Sequence, residues 1–157
     1  MLTWTEFREA RPDLADAGRG LLYQWGVGLG FLSTVRKDGG PRCHPMCPVI
    51  TDEGLFALIE PDGPKRYDLE RDGRYALHCF PPADNEDAFY LTGRAQRVDE
   101  PSRREPVVTA FWKERGQEGP PPQAEKQVAF ELLIETALLT RTTGHGDWNP
   151  QHTIWKA

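Results

Sequence analysis

Residues 30–77 read GFLSTVRKDGGPRCHPMCPVITDEGLFALIEPDGPKRYDLERDGRYAL. Two β-patterned runs, 31–36 and 41–50, flank the turn Lys37-Asp38-Gly39-Gly40. Thr51-Asp52-Glu53-Gly54 then turns the chain into a third run at 55–59, and a fourth follows at 75–80. Connections this short predict antiparallel hairpins, because a parallel crossover takes a dozen residues or more. Between the third and fourth runs, residues 65–72 carry alternating charges and predict a short helix.

Outward from this stretch, the N-terminal side reads as a helical cover over residues 1–25. Thr3 and Glu6 have capping-box spacing, which starts a short helix at Trp4. Pro12 suits the first turn of a second helix, on which Leu14, Gly18, Leu21, Leu22 and Trp25 share a face. The glycines of 26–30 (GVGLG) lead into a strand and lack the Lys-Ser/Thr ending of a phosphate loop. On the other side come a Pro- and Asp-rich loop at 81–87, a fifth strand at 89–98, and a helix at 101–112 weakened by Pro106. Residues 115–126, with Pro120-Pro121-Pro122, read as an exposed loop. In 129–141, Phe130, Leu133, Ile134, Ala137 and Leu138 have helical spacing, so periodicity alone prefers a helix.

At 157 residues the chain fits one domain, 1–157, able to bury a continuous core. Its net charge of −5 argues against a general nucleic-acid surface. No apolar run approaches the roughly 20 residues of a membrane helix. The start, MLTWTE, lacks a secretory pattern, and the 3 cysteines fit free thiols in a cytoplasmic protein. The 15 glycines and 14 prolines favour short strands and many turns.

The chemistry-bearing residues gather on the second run and just after the third. If 41–50 is one strand, Arg42, His44, Met46 and Pro48 share one face, and Cys43, Pro45 and Cys47 the other. Pro45 and Pro48 remove ladder donors, which reads either as a protected edge or as backbone left free to bond a planar heteroaromatic ring. Arg42 offers a bidentate fork to a phosphate and Lys65 a mobile ammonium; either serves equally as a solvated charge. His44 has the titration range of a proton shuttle, or is a plain surface side chain. Arg66 either reinforces an anion site or pairs with Asp68 or Glu70, the second reading being favoured. Cys43 and Cys47 on one strand lie about 13 Å apart and do not chelate one metal ion; His78 and Cys79 add no zinc spacing, so no metal site is expected.

In their order, the hairpin, the His44-Pro45 step, the loop carrying Lys65, Asp68-Leu69 and Asp72-Gly73-Arg74 resemble the pyridoxamine 5′-phosphate oxidase-like FMN-binding split-barrel family. The resemblance covers 29–98 and, more loosely, the tail. It implies a mainly β protein with flanking helices (α+β), an antiparallel split β-barrel, dimeric, with the barrel core at 29–98. It divides the rest into a helix and Pro-rich loop at 101–126 and a last strand and C-terminal tail at 129–157. It thus implies a strand at 129–141, against the periodicity. It implies that Arg42 and Lys65 hold the phosphate of FMN, with Arg66 beside them. His44, Pro45, Met46 and Cys47 then lie along the ring, as does the backbone of Leu58 and Ile59.

By the same resemblance the protein is a flavin-dependent oxidoreductase moving hydride to or from a small organic substrate. The alternatives are a reductase using a deazaflavin coenzyme, gripped by a wider groove of Arg42, Lys65, Arg66 and Arg71, and a noncatalytic flavin carrier. The implied partner is a second copy of the chain, with the cofactor at the interface and Trp148 or Trp155 near it; neither nucleic acid nor membrane is implied. Two departures stand out. Gly63 occupies the place where relatives often carry a phosphate-binding serine, which leaves only its backbone N–H. The tail, HTIWKA, lacks the basic substrate signature of the true oxidases, so vitamin B6 oxidation is not expected.

Overall fold

The computed structural model describes residues 1–157. The predicted turn closes a hairpin. Asp38 accepts from the amide of Gly40 and from Arg36, while Gly39 takes a φ of 83° that a side chain would resist. This brings β1 (Gly30–Val35) against β2 (Pro41–Met46), from Gly30 opposite Met46 to Val35 opposite Pro41.

The predicted strand 41–50 is in fact two. It breaks at Cys47, and β3 (Pro48–Ile50) pairs with β4 (Leu55–Ile59) instead of β1. The physical reason lies in Pro45 and Pro48, which cannot donate to a continuous ladder. The face alternation expected through Pro48 therefore ends at Met46. The remaining strands are β5 (Arg74–Cys79), β6 (Ala88–Val98), β7 (Val128–Arg141) and β8 (Gln151–Lys156).

The sheet order is β2-β1-β5-β6-β7-β4-β3, with β8 on the free half of β7. Every pairing is antiparallel. Its two ends, β2 and β3, are joined by the single residue Cys47, so the sheet curls and closes covalently while no ladder joins β2 to β3 or β4. That is a split barrel.

Residues 129–141 form a strand, as the family resemblance implied and the periodicity did not. The cause is burial on both faces. Ala129, Phe130, Glu131 and Leu132 are all buried, so alternation is lost where β7 runs beneath helix α4 (Pro101–Lys113) as well as over the core. Opposite Thr92 and Gly93 of β6 the register skips Glu135, a bulge in β7. Gly93 is required there, since a Cβ would lie 1.8 Å from the carbonyl oxygen of Leu133.

Helices α1 (Trp4–Ala10) and α2 (Pro12–Leu22) cover one barrel opening. Thr3 and Glu6 make the predicted capping box, and Pro12 starts α2. Trp4, Phe7, Leu14, Leu21 and Leu22 join Leu32, Leu77, Phe89, Leu91, Phe130 and Leu132 in the main core. Trp25, expected on the α2 face, lies beyond the helix, exposed, with its ring 6.2 Å from Phe80. Helix α4 continues through Pro106 and seals a smaller core of Val49, Phe56, Val98, Val107 and Phe111. The tail forms β8, and Trp155 packs on Phe7 at 5.0 Å. No helix is long and apolar enough to cross a membrane.

Candidate functional site

Helix α3 (Pro64–Arg71) begins directly after β4, with Gly63 as N-cap, Pro64 in its first turn and no acidic side chain there. Its N-terminus is therefore an uncompensated positive dipole end. α3 packs across β1 and β6, which carries its first turn to the mouth of the β1–β2 hairpin.

Arg42 lies opposite Thr34 on β1, and both side chains face α3. The guanidinium of Arg42 donates through Nε to Asp68 Oδ2 at 2.7 Å, and Thr34 donates to the same oxygen at 2.8 Å. Arg71 donates to Asp68 Oδ1 at 3.2 Å and to the carbonyl of Val35. Burial pushes the Asp68 carboxyl up. The three donors outweigh burial, so it sits below the ordinary carboxylate range. The terminal nitrogens of Arg42 make no bond, and Arg42 lines an open groove of 590 Å³ with Arg36, Lys37, Asp38, Pro64 and Tyr67.

Lys65 stands in the first turn of α3, near enough to Cys47 at the strand break to feel its thiol. It is half-buried and has no carboxylate partner; burial lowers its pKa, with the thiol of Cys47 acting weakly against that. Beside it, the β3–β4 ladder ends at the Pro48–Ala57 pair. Leu58 and Ile59 run past that end, opposite Cys47, paired only to β7 on their other side. The break at Cys47, the unpaired margin of Leu58 and Ile59, and the Lys65 ammonium thus meet at one seam.

The other predicted residues fall outside this pair of features. His44 is exposed on the open edge strand, as is Pro45, while Met46 is buried in the core. Arg66 turns aside: it donates to Glu70 at 3.0 Å and to the carbonyl of Pro61 at 2.8 Å, and its guanidinium lies over the Tyr67 ring. Gly63 corrects one expectation. Its backbone N–H is not free for a ligand, because it donates to the carbonyl of Glu60 at 2.9 Å within the turn.

Thr34 was not singled out from the sequence, and Asp68 and Arg71 were named only as a possible partner of Arg66 and as a groove cation, not as partners of Arg42 and of each other. The signal was present in the spacing: Lys65, Asp68 and Arg71 recur at i, i+3 on one face of α3. It read as a solvated charge pattern because nothing local reveals that Asp68 is only 4% exposed.

The structure presents a half-buried ammonium without a carboxylate partner in the first turn of α3 and, in the neighbouring groove, a guanidinium with two uncommitted nitrogens. The donor set suits a phosphate monoester, and the seam at Cys47 offers backbone to a flat ring.

A family model described as pyridoxamine 5′-phosphate oxidase matches residues 26–141. No curated protein gives a significant match. Among solved structures, a conserved hypothetical protein from Mycobacterium tuberculosis is similar at 22% identity and TM-score 0.59, covering 69% of this chain and 74% of its own. An F420 reductase is similar at 18% identity and TM-score 0.59, with 75% and 94% covered. A heme binding protein from Mycobacterium smegmatis is similar at 14% identity and TM-score 0.61, with 87% and 57% covered. At these identities the solved structures share the fold.

Proposed function

Because this chain belongs to the pyridoxamine 5′-phosphate oxidase family, we propose that it is a redox protein that binds FMN at the seam between β2, β4 and α3 and passes hydride to or from a small organic molecule. The observation that carries the reading is Lys65, a half-buried ammonium left without a counter-ion beside an interrupted ladder. An uncompensated charge in that place is costly unless something anionic meets it.

In this reading Lys65 and the terminal nitrogens of Arg42 hold the phosphate. The backbone at Cys47, Leu58 and Ile59 orients the ring, with the backbone of His44, Pro45 and Met46 leading up to it and the Met46 side chain in the core behind. Bound flavin supplies the hydride chemistry. The protein's residues supply position and charge, and a cationic environment favours the anionic reduced form of such a ring. Arg66, tied to Glu70 and Pro61, keeps the turn at 60–63 in shape and is at most a distant contributor to charge. The pyridoxamine substrate is not part of the proposal. β8 brings Lys156 as its only cation, and Arg141 is held by Asp87.

A specific feature favours a second reading, a deazaflavin coenzyme with a longer acidic tail. The 590 Å³ groove continues from Arg42 to the β1–β2 turn, where Arg36 is paired with Asp38 and Lys37 is the cation left without a carboxylate. The likeness to an F420 reductase agrees with it. A carrier without turnover uses the same residues.

The proposal extends to a homodimer, since Phe31, Trp25, Ile154 and Trp148 leave large apolar surface exposed, Trp148 at 99%. Sedimentation of the purified protein tests that part. The cofactor is tested by the visible spectrum of the fresh protein and the mass of what acid releases from it. Released FMN supports the first reading and a deazaflavin mass the second. A colourless protein that takes up neither on titration refutes both.

A further inference from the structure

Asp68 stands out as a buried carboxylate that serves two guanidinium groups at once. It accepts from Arg42 Nε, Arg71 Nη2 and Thr34 Oγ1, and no water-facing surface remains to it beyond 4%. Its bond to Arg42 is made through Nε rather than through the terminal nitrogens. That choice matters chemically. Held by Nε, an arginine keeps its Nη pair directed away from the carboxylate, in the fork geometry that reads phosphate oxygens.

Thr34 fixes the same oxygen from a neighbouring strand, so the carboxylate is anchored by a neutral donor before Arg42 meets it. Arg71 bonds both Asp68 and Val35 through Nη2 and does not line the groove; it acts there as a balancing charge. Two arginines on one aspartate leave the cluster with an excess of one positive charge.

We infer that Asp68 is the positioning residue of the anion site: it presets the Arg42 fork toward the groove, and the site loses affinity for phosphate when that hold is removed. The inference rests on the proposed cofactor reading for its ligand. It differs from a simple electrostatic view, which makes the opposite claim. As a bare negative charge near the groove, Asp68 repels a phosphate, and neutralising it strengthens binding.

The test compares FMN with riboflavin, the same ring without a phosphate, on the whole protein, its Asp68→Asn and Arg42→Ala variants, and the double variant. Positioning predicts that Asp68→Asn weakens FMN about tenfold, the size of one lost charge-assisted bond. Riboflavin affinity stays unchanged, and in the Arg42→Ala background Asp68→Asn adds less than about twofold. Tighter FMN binding, equal weakening of both ligands, or fully multiplying effects of the two changes overturns the inference.

A second readout is independent of any cofactor. The side-chain Nε–H of Arg42 gives a slowly exchanging proton signal in the free protein that disappears in Asp68→Asn; its absence from the unaltered protein also overturns the inference. If the protein binds neither FMN nor riboflavin while that signal behaves as expected, the cofactor reading fails and the positioning stands. Should Asp68→Asn not fold, Thr34→Val loosens the same carboxylate. It then weakens FMN about threefold with riboflavin unmoved, and no change in FMN refutes the idea.

Discussion

Replacing Lys65 with methionine separates what this residue does for binding from what it costs the fold. Methionine keeps the length and apolar stem of lysine and deletes only the ammonium. If that ammonium bonds a phosphate from its half-buried place, the lost charge-assisted bond is worth about 1.5–3 kcal/mol. The FMN dissociation constant then rises roughly 10- to 150-fold.

Stability of the free protein should move the other way. Burial holds the folded-state pKa of Lys65 below its unfolded value. The unfolded chain therefore binds more protons than the folded one in the window between the two, and stability rises with pH there. Below that window the cost of burying the charged form is present in full; above it the cost vanishes. Lys65→Met removes the cost at neutral pH, so its melting temperature at pH 7 matches or exceeds that of the unaltered protein, and the rise toward alkaline pH is gone. Fluorescence titration with FMN and thermal melts at neutral and alkaline pH read both halves. An unchanged dissociation constant removes Lys65 from the site. A fall in melting temperature with unchanged FMN affinity shows an unrecognised structural partner.

Three further outcomes follow from particular contacts. Gly93→Ala forces a Cβ against the Leu133 carbonyl beside the β7 bulge and should cost about 2–4 kcal/mol in urea unfolding. Burial pushes the Asp87 carboxyl up, but Arg141 at 2.7 Å and the amide and hydroxyl of Thr142 hold it, on balance, below the ordinary range. Its stabilising contribution is thus present above the unfolded pKa and lost as pH falls through the lower folded one. Urea unfolding of Asp87→Asn should show a deficit at neutral pH that shrinks toward about pH 2. Glu114 has the opposite sign. Burial raises its pKa despite the bond donated by Tyr23 at 3.0 Å, and Oε2 has no hydrogen-bond partner, only the Arg115 guanidinium at 3.9 Å. Glu114→Gln should raise the melting temperature at neutral pH and give no gain well below the unfolded carboxylate range, where both states hold the proton.

Much of the barrel was legible because turns announce themselves. Asp38-Gly39-Gly40, Asp52-Glu53-Gly54 and the Thr3 and Glu6 cap each impose a backbone geometry locally, and the strands between them kept close to their predicted limits. Three features escaped. The break at Cys47 needs knowledge of which strand each half pairs with, which two prolines hint at without deciding. Strand β7 is buried on both faces over 129–132, which hides its alternation there, and apolar side chains at Leu133 and Leu138 on its less buried face complete a spacing that mimics a helix. Asp68 looked like one of many helix charges because burial by a distant strand leaves no trace in the local pattern. Of the site, the sequence pointed to Arg42 and Lys65 as cations of interest; what each one faces came only from the fold.

The joint at Cys47 also has a kinetic consequence. Hairpins β1–β2, β3–β4 and β5–β6 each join neighbours in the chain and can form early, with little loop entropy to overcome. β4 has no such neighbour on its far side, and Phe56 must find Glu131 across most of the C-terminal half. Ring closure therefore waits on the arrival of β7. Until then the paired hairpins hang from Cys47 like two flaps on a hinge, and refolding should be limited by that late encounter, with changes in β7 slowing it and changes in the β1–β2 turn, made before it, leaving the unfolding rate nearly unmoved.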